Sequence, residues 1–262
     1  MKKLIISVMF LAAAALIFAG GGRDGVSIGF PVRGNGKLVT SELSVSPFER
    51  LNVQESVVVN YHESTEYRAV VTVDSNLEEY VSIYNQGDTL RIGTKRGRIY
   101  RFTNYTVDVY APLLSSVSVS GSVIFEAVDK IKTQKFDMNI SGNARVRGSF
   151  ECDDFSIRVS GSADINSRIE CKRFKTNISG SGDMALSGNA DDMELVISGF
   201  GNFNAGEFRT NNAVVQISGS GRINIWAEET LKANVSGSGR LIYRGNPKID
   251  YRGSGSGRLE RV

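Results

Sequence analysis

Residues 155–184 read FSIRVSGSADINSRIECKRFKTNISGSGDM, and this stretch decides the fold. Phe155, Ile157 and Val159 alternate with polar residues and lead into Ser160-Gly161; nineteen residues later Phe174, Thr176 and Ile178 lead into Ser179-Gly180 in the same frame. The pair recurs at Ser120, Ser141, Ser160, Ser179, Ser198, Ser218, Ser236 and Ser254, at spacings of 21, 19, 19, 19, 20, 18 and 18 residues. A fixed period of this size marks stacked coils that bury a core only together. Function in such a chain belongs on faces rather than in one deep pocket.

With each Ser as position zero, positions −5, −3 and −1 are mostly apolar, and the −5 row contains Phe136, Phe155 and Phe174. Alternation with period two is the mark of a strand with one buried face. Position +5 is apolar throughout, from Phe125 and Val146 to Leu241 and Leu259. Position +3 is small or β-branched, as at Ala144, Ala163 and Gly182. Each coil is therefore expected to hold two short strands with a small-residue kink between them, stacked on the next coil at about 4.8 Å. Helical spacing of three and four is absent, and so is the Leu-x-x-Leu-x-Leu frame of leucine-rich repeats. The expected fold is all-β: a parallel β-helix of about eight coils of 18–21 residues, right-handed by the general chirality of parallel crossovers, with an N-terminal β cap.

The ends set the organisation. Two lysines and an apolar run from Leu4 to Phe18 read as a signal peptide over 1–19, cleaved near Ala19. An uncleaved anchor is the alternative, although the run is short for a span. No Cys follows to carry a lipid, and the mature chain is expected to have no membrane span. Export to the periplasm, the outer surface or the medium follows. Residues 20–42, glycine-rich and polar, read as a linker. Within 43–262, residues 43–113 read as a degenerate first coil and a β-hairpin cap, and 114–262 as repeat coils. Val53–Val59 matches Val119–Phe125, with Gln54-Glu55 in place of Ser-Gly. Strand-like segments at Tyr67–Val73, Val81–Tyr84, Thr89–Thr94 and Tyr105–Tyr110 follow, with a turn at Asn85–Asp88.

A net charge of +3 gives no reason to expect a nucleic-acid partner. Cys152 and Cys171 lie one repeat apart. Stacking would bring them within disulfide reach, so they form a candidate disulfide, with a buried thiol ladder as the alternative. No catalytic, metal or cofactor residues are expected. His62 is the one histidine, and the serines are explained by their repeated turn. Asp164 and Asp183 share position +4 and could stand as a glycosidase-like pair, but solvated carboxylates are the plainer reading. A calcium stack would need an Asp at +4 in every coil, where Arg145, Asn202, Arg222, Arg240 and Arg258 stand instead. Arg222, Arg240 and Arg258 occupy +4 in three consecutive coils. They form a candidate ligand-binding face for an anionic glycan, or else a solvated row that keeps strand edges apart. The non-repeating part offers Tyr61, Tyr84 and Tyr100 as a second surface.

The exported start, "SPFERLNVQESVVVNY" (46–61), "DTLRIGTK" (88–95), "YTVDVYAPLLSSVSVSGSV" (105–123) and the Ser-Gly coils together resemble the GIN-domain family, described as head domains of auto-transporter adhesins. The likeness runs from about Leu43 to Gly257. It implies a right-handed β-helix, an extracytoplasmic place in a bacterial envelope and an adhesive role, with no catalytic residues to carry over. Unlike an auto-transporter, the sequence shows no translocator barrel after Leu259. The reading is of an envelope or extracellular binding module whose partners are surface glycans or envelope components. A carbohydrate-active β-helix enzyme and a purely structural envelope component are the alternatives.

Overall fold

The computed structural model describes residues 31–96 and 98–262. The expected signal peptide and the first part of the expected linker lie outside them. The chain is an all-β solenoid of about eight turns. Phe136, Phe155, Phe174, Met193, Ala213, Leu231 and Ile249 stand opposite one another in successive parallel pairings. Their phenyl rings stack at 5.3 Å (Phe136 to Phe155) and 6.0 Å (Phe155 to Phe174). The +5 row is likewise in register and buried at Val146, Ile165, Met184, Phe203 and Ile223.

One expectation is corrected. The coil is not two short strands with a kink: single strands run nearly the whole circuit, at Asn143–Val159, Ser162–Ile178, Ser181–Ile197, Phe200–Ile217 and Ser220–Val235. Their middle parts build a third wall. Phe150, Ile169, Leu186, Phe208 and Ile225 point inward from it, and Phe150 lies 4.9 Å from the Phe136 ring and 5.0 Å from that of Phe155. The sequence hid this wall because it absorbs the variation in coil length. Register shifts fall between Ala185 and Ser187, between Asn204 and Arg209, and between Thr210 and Asn212, while the rows beside the Ser-Gly corner keep their frame.

The corner itself is tightly stacked. Ser160 N–H donates to the Ile140 carbonyl and Ser162 N–H to the Gly142 carbonyl, both at 2.9 Å. The glycine oxygen is thus the acceptor for the next coil, and the next glycine lies against it. A Cβ on Gly161 would sit 1.9 Å from the Gly142 oxygen; on Gly142, Gly180, Gly199 and Gly219 the same contact would be 2.1, 2.0, 1.9 and 2.0 Å.

At the N-terminal end, Arg50–Val53 and Ser56–Glu63 stack in parallel on Ser116–Val119 and Ser122–Ala127, so Val53 stands opposite Val119 and Val59 opposite Phe125. Beyond them Thr89–Thr94 and Tyr105–Ala111 add one more parallel strand to each sheet. The outermost pairings turn antiparallel: Val81–Gln86 on Thr89–Thr94, and Arg68–Asp74 then Leu38–Ser44 beyond Tyr105–Ala111. Residues 31–42, read as linker, contribute a strand at Val32–Arg33 and most of Leu38–Ser44 instead.

Two substitutions test this packing. Gly161→Ala should lower stability by about 2–3 kcal/mol, the usual cost of overpacking. Gly206→Ala should cost little, because its added Cβ meets only the Asn204 Oδ1 atom at 3.4 Å. Equal shifts of the urea midpoint in both would contradict the stacked corner. Thr176 is fully buried in the −3 row with its hydroxyl unpartnered, so Thr176→Val should stabilise by about 1 kcal/mol by removing an unsatisfied polar group. A lower midpoint in that variant would show that the hydroxyl has a partner.

Candidate functional site

Inward rows and corners are committed to stacking, which leaves the outward rows for binding. On the sheet that follows each Ser-Gly corner, the +4 positions form one continuous row. It begins apolar at Val58 and Ile124 and passes through Arg145, Asp164, Asp183 and Asn202. It ends basic at Arg222, Arg240 and Arg258. The three arginines therefore do stack in register. They are not equivalent: Arg222 and Arg258 are exposed, whereas Arg240 is half-buried and its Nε lies 3.4 Å from the Glu260 carboxylate.

The +2 row beside it holds Ser122, Asn143, Ser162, Ser181 and Ser220, with one exception. Phe200 stands between Ser181 and Ser220 and is 69% exposed. This aromatic was missed on sequence, although Gly199-Phe200 in place of Gly-Ser was a visible departure from the repeat.

At the N-terminal end of the same face lies an open groove of about 1050 Å³. Its floor includes Ser122, Ile124, Asn143, Arg145, Ser162 and Asp164, and its wall is the segment Tyr100–Asn104. The wall is held by an aromatic run: Tyr80 stacks on Tyr100 at 4.9 Å, and Phe102 packs on Tyr105 at 4.8 Å. Asp74 fixes it from below. This carboxylate is fully buried and accepts from Thr103 N at 2.7 Å, Thr103 Oγ1 at 2.5 Å and Gly36 N at 2.8 Å. Burial pushes the Asp74 carboxyl up, but these donors outweigh it and hold it below its usual range. Gly34 completes the fit, since a Cβ there would meet Asp74 Oδ2 at 2.1 Å. Within the wall, the Asn104 Oδ1 atom is buried without a hydrogen-bond partner among the described residues. Burial raises the Tyr100 phenol above its ordinary value, with Tyr80 adding to the effect, so it stays a neutral donor.

The other candidates fall as follows. Asp164 and Asp183 are neighbours in register, but each already has donors: Arg145 Nε stands 3.3 Å from Asp164, and Asn202 N and Nδ2 lie 3.1 Å from Asp183. His62 is half-buried, 3.3 Å from Asp108 and stacked on Tyr110 at 4.7 Å, with the Arg68 guanidinium 3.7 Å from the centre of the Tyr110 ring. That is a packed cluster between strands. Tyr61 is buried and donates to the Ala111 carbonyl at 3.0 Å, so it is no part of a surface. Tyr84 is exposed, and only Tyr100 of the three lines the groove. Among the described residues no group of three or more His, Cys, Asp or Glu is placed to hold a metal ion.

With the fold and this face in view, comparison with known proteins is direct. The family described as "Putative auto-transporter adhesin, head GIN domain" matches residues 47–247. The chain belongs to the GIN-domain family. Three solved structures share the GIN-domain fold. A "putative adhesin" from Parabacteroides merdae is 28% identical, with a TM-score of 0.83 and coverage of 88% of this chain and 98% of that one. A "putative adhesin" from Parabacteroides distasonis is 27% identical, with a TM-score of 0.81 and coverage of 88% and 99%. A "putative lipid binding protein" from the same organism is 25% identical, with a TM-score of 0.83 and coverage of 88% and 99%. No curated protein matches this GIN domain.

Cys152 and Cys171, the candidate disulfide, are partners in register on the third wall of the GIN domain. Both are free thiols here, Cys171 buried and Cys152 partly so. Burial pushes each thiol up to about 12, and Asp154 adds to the shift at both. Thiolate is the species that reacts. Neither thiol should therefore be alkylated at neutral pH until denaturant is added, and mass mapping should find two thiols. Rapid alkylation of both in the native protein would contradict the stacking.

Proposed function

We propose that this chain is an exported, non-catalytic, adhesin-like module that binds an extended glycan along the outward face of this sheet. Phe200 carries the reading. A phenyl group left 69% exposed in a row of serines and asparagine contributes nothing to the solenoid. It gives the apolar face of a sugar ring a platform, while the neighbouring hydroxyls and amides meet its polar edge. The groove continues the same chemistry with Tyr100 and Phe102. Eight steps of about 4.8 Å separate Val58 from Arg258, so the face is about 38 Å long and suits a polymer. The arginine row lies at its far end, where it would take an acidic substituent. A lipid tail needs an enclosed apolar cavity, and this groove is open, with polar side chains interspersed among Ile124 and its apolar neighbours on the floor.

A glycan array probed with the mature chain should give hits among polysaccharides. Phe200→Ser should then weaken the best hit by about tenfold or more, the value of apolar surface covered by the ligand. Its melting temperature should not fall, because serine is what the neighbouring coils carry. Arg222→Glu with Arg240→Glu should abolish binding of acidic polymers, which should also weaken with added salt. Undiminished binding in all these variants would refute the assignment of this face.

A further inference from the structure

We propose that the N-terminal end of the solenoid docks on a bilayer presenting anionic, phosphate-bearing headgroups. Residues 89–107 contain five basic residues and no Asp or Glu. Four of the five, Lys95, Arg96, Arg98 and Arg101, are exposed. Arg33, also exposed, stands directly beside Arg101 in the short parallel pairing of Val32–Arg33 with Tyr100–Arg101. Like charges placed side by side repel, and an anion between them relieves this. Among the described residues, none of these five side chains forms an ion pair with a carboxylate.

An aliphatic tip sits within this basic cluster. Ile99, 60% exposed, lies between Arg98 and Tyr100, and Leu38, 50% exposed, follows Lys37. The backbone binds these segments into one end: Val32 N–H donates to the Ile99 carbonyl at 2.9 Å and Gly34 N–H to the Arg101 carbonyl at 2.8 Å. Asp74 then holds Gly36 and Thr103 together. Cations around a protruding aliphatic side chain match the boundary between charged headgroups and acyl chains. A sugar would account for the cations but not for Ile99.

The direction of the chain supports this occupant. The described residues begin at Pro31, at this end, and the apolar run Leu4–Phe18 closes thirteen residues earlier. Left uncleaved as an anchor, that run would tether this end to a bilayer through thirteen residues. The glycan groove shares Arg101 with this end, whereas Arg33, Arg98 and Ile99 do not line it, so Ile99→Ser separates the two readings.

Flotation of the exported protein with vesicles tests the proposal. Binding to phosphatidylcholine vesicles containing phosphatidylglycerol should exceed binding to phosphatidylcholine alone, and salt should remove the excess. Arg98→Ser with Arg101→Ser should reduce that excess by about twenty-five-fold, at about fivefold per cation. Ile99→Ser should reduce it by about fivefold. Arg222→Glu with Arg240→Glu, at the far end, should leave it unchanged. Melting temperatures of the variants should match the parent, because the substituted side chains are exposed. Equal binding to both vesicle types would overturn the proposal. So would an excess that survives the Arg98 and Arg101 substitutions.

Discussion

The contact between a glycine α-carbon in one coil and the glycine carbonyl oxygen of the coil before it sets the geometry of this molecule. At Gly142, Gly161, Gly180, Gly199 and Gly219 that oxygen already accepts an N–H from the following coil or lies where it must, and a methyl group would stand about 2 Å away. The corner therefore tolerates no side chain. Its fixed position forces the rows at −5, −3, −1, +3 and +5 into register, and those rows are the core. The first coil shows the constraint from the other side. Glu55 occupies the place of the corner glycine there, with a left-handed φ of 78°, and Gly121 stacks upon its carbonyl oxygen. A non-glycine residue in that backbone region carries strain, accepted here where the repeat begins.

Register is also specified from outside. Lys175 meets Glu194 and Lys172 meets Asp153, both at 2.8 Å, and Arg173 holds Asp154 through both guanidinium contacts. Each of these partners is nineteen residues from its mate. The Arg173 hydrogen bonds keep the Asp154 carboxyl below its usual range despite some desolvation. Exposed pairs of this kind add little to stability singly. Their effect is on choice: a slip by one residue would exchange inward and outward rows. The arginine row at +4 breaks this pattern of alternating sign, and among the described residues Arg240 alone of the three finds a carboxylate, in Glu260.

Much of this was legible in the sequence, and the remainder was not, for definable reasons. The apolar rows were readable because they are tied to the Ser-Gly corner, which has a nearly constant period. The third wall was not, because Phe150, Ile169, Phe208 and Ile225 sit in the segment where coils gain and lose residues. The strand Leu38–Ser44 was hidden by glycine-rich surroundings and finds its partner in Arg68–Asp74, some thirty residues on. The arginine row could be placed by counting alone. The groove could not, because its wall, Tyr100–Asn104, is positioned by Asp74 through hydrogen bonds that no local pattern announces.

These constraints divide the sequence into two kinds of position. Inward rows and corners answer to the stacking, so a departure there costs stability, as the unpartnered hydroxyl of Thr176 illustrates. Outward rows answer to solvent, and the solenoid is indifferent to what they carry. An outward residue that solvent would not favour then needs another cause. Phe200 among serines and Ile99 among arginines are two such residues, each exposed and each at the boundary of a polar surface. They lie on different parts of the molecule, one on the flank and one at the end where the described chain begins. A quasi-one-dimensional scaffold can bear both, because a change on one outward row leaves the stacked coils beneath it intact.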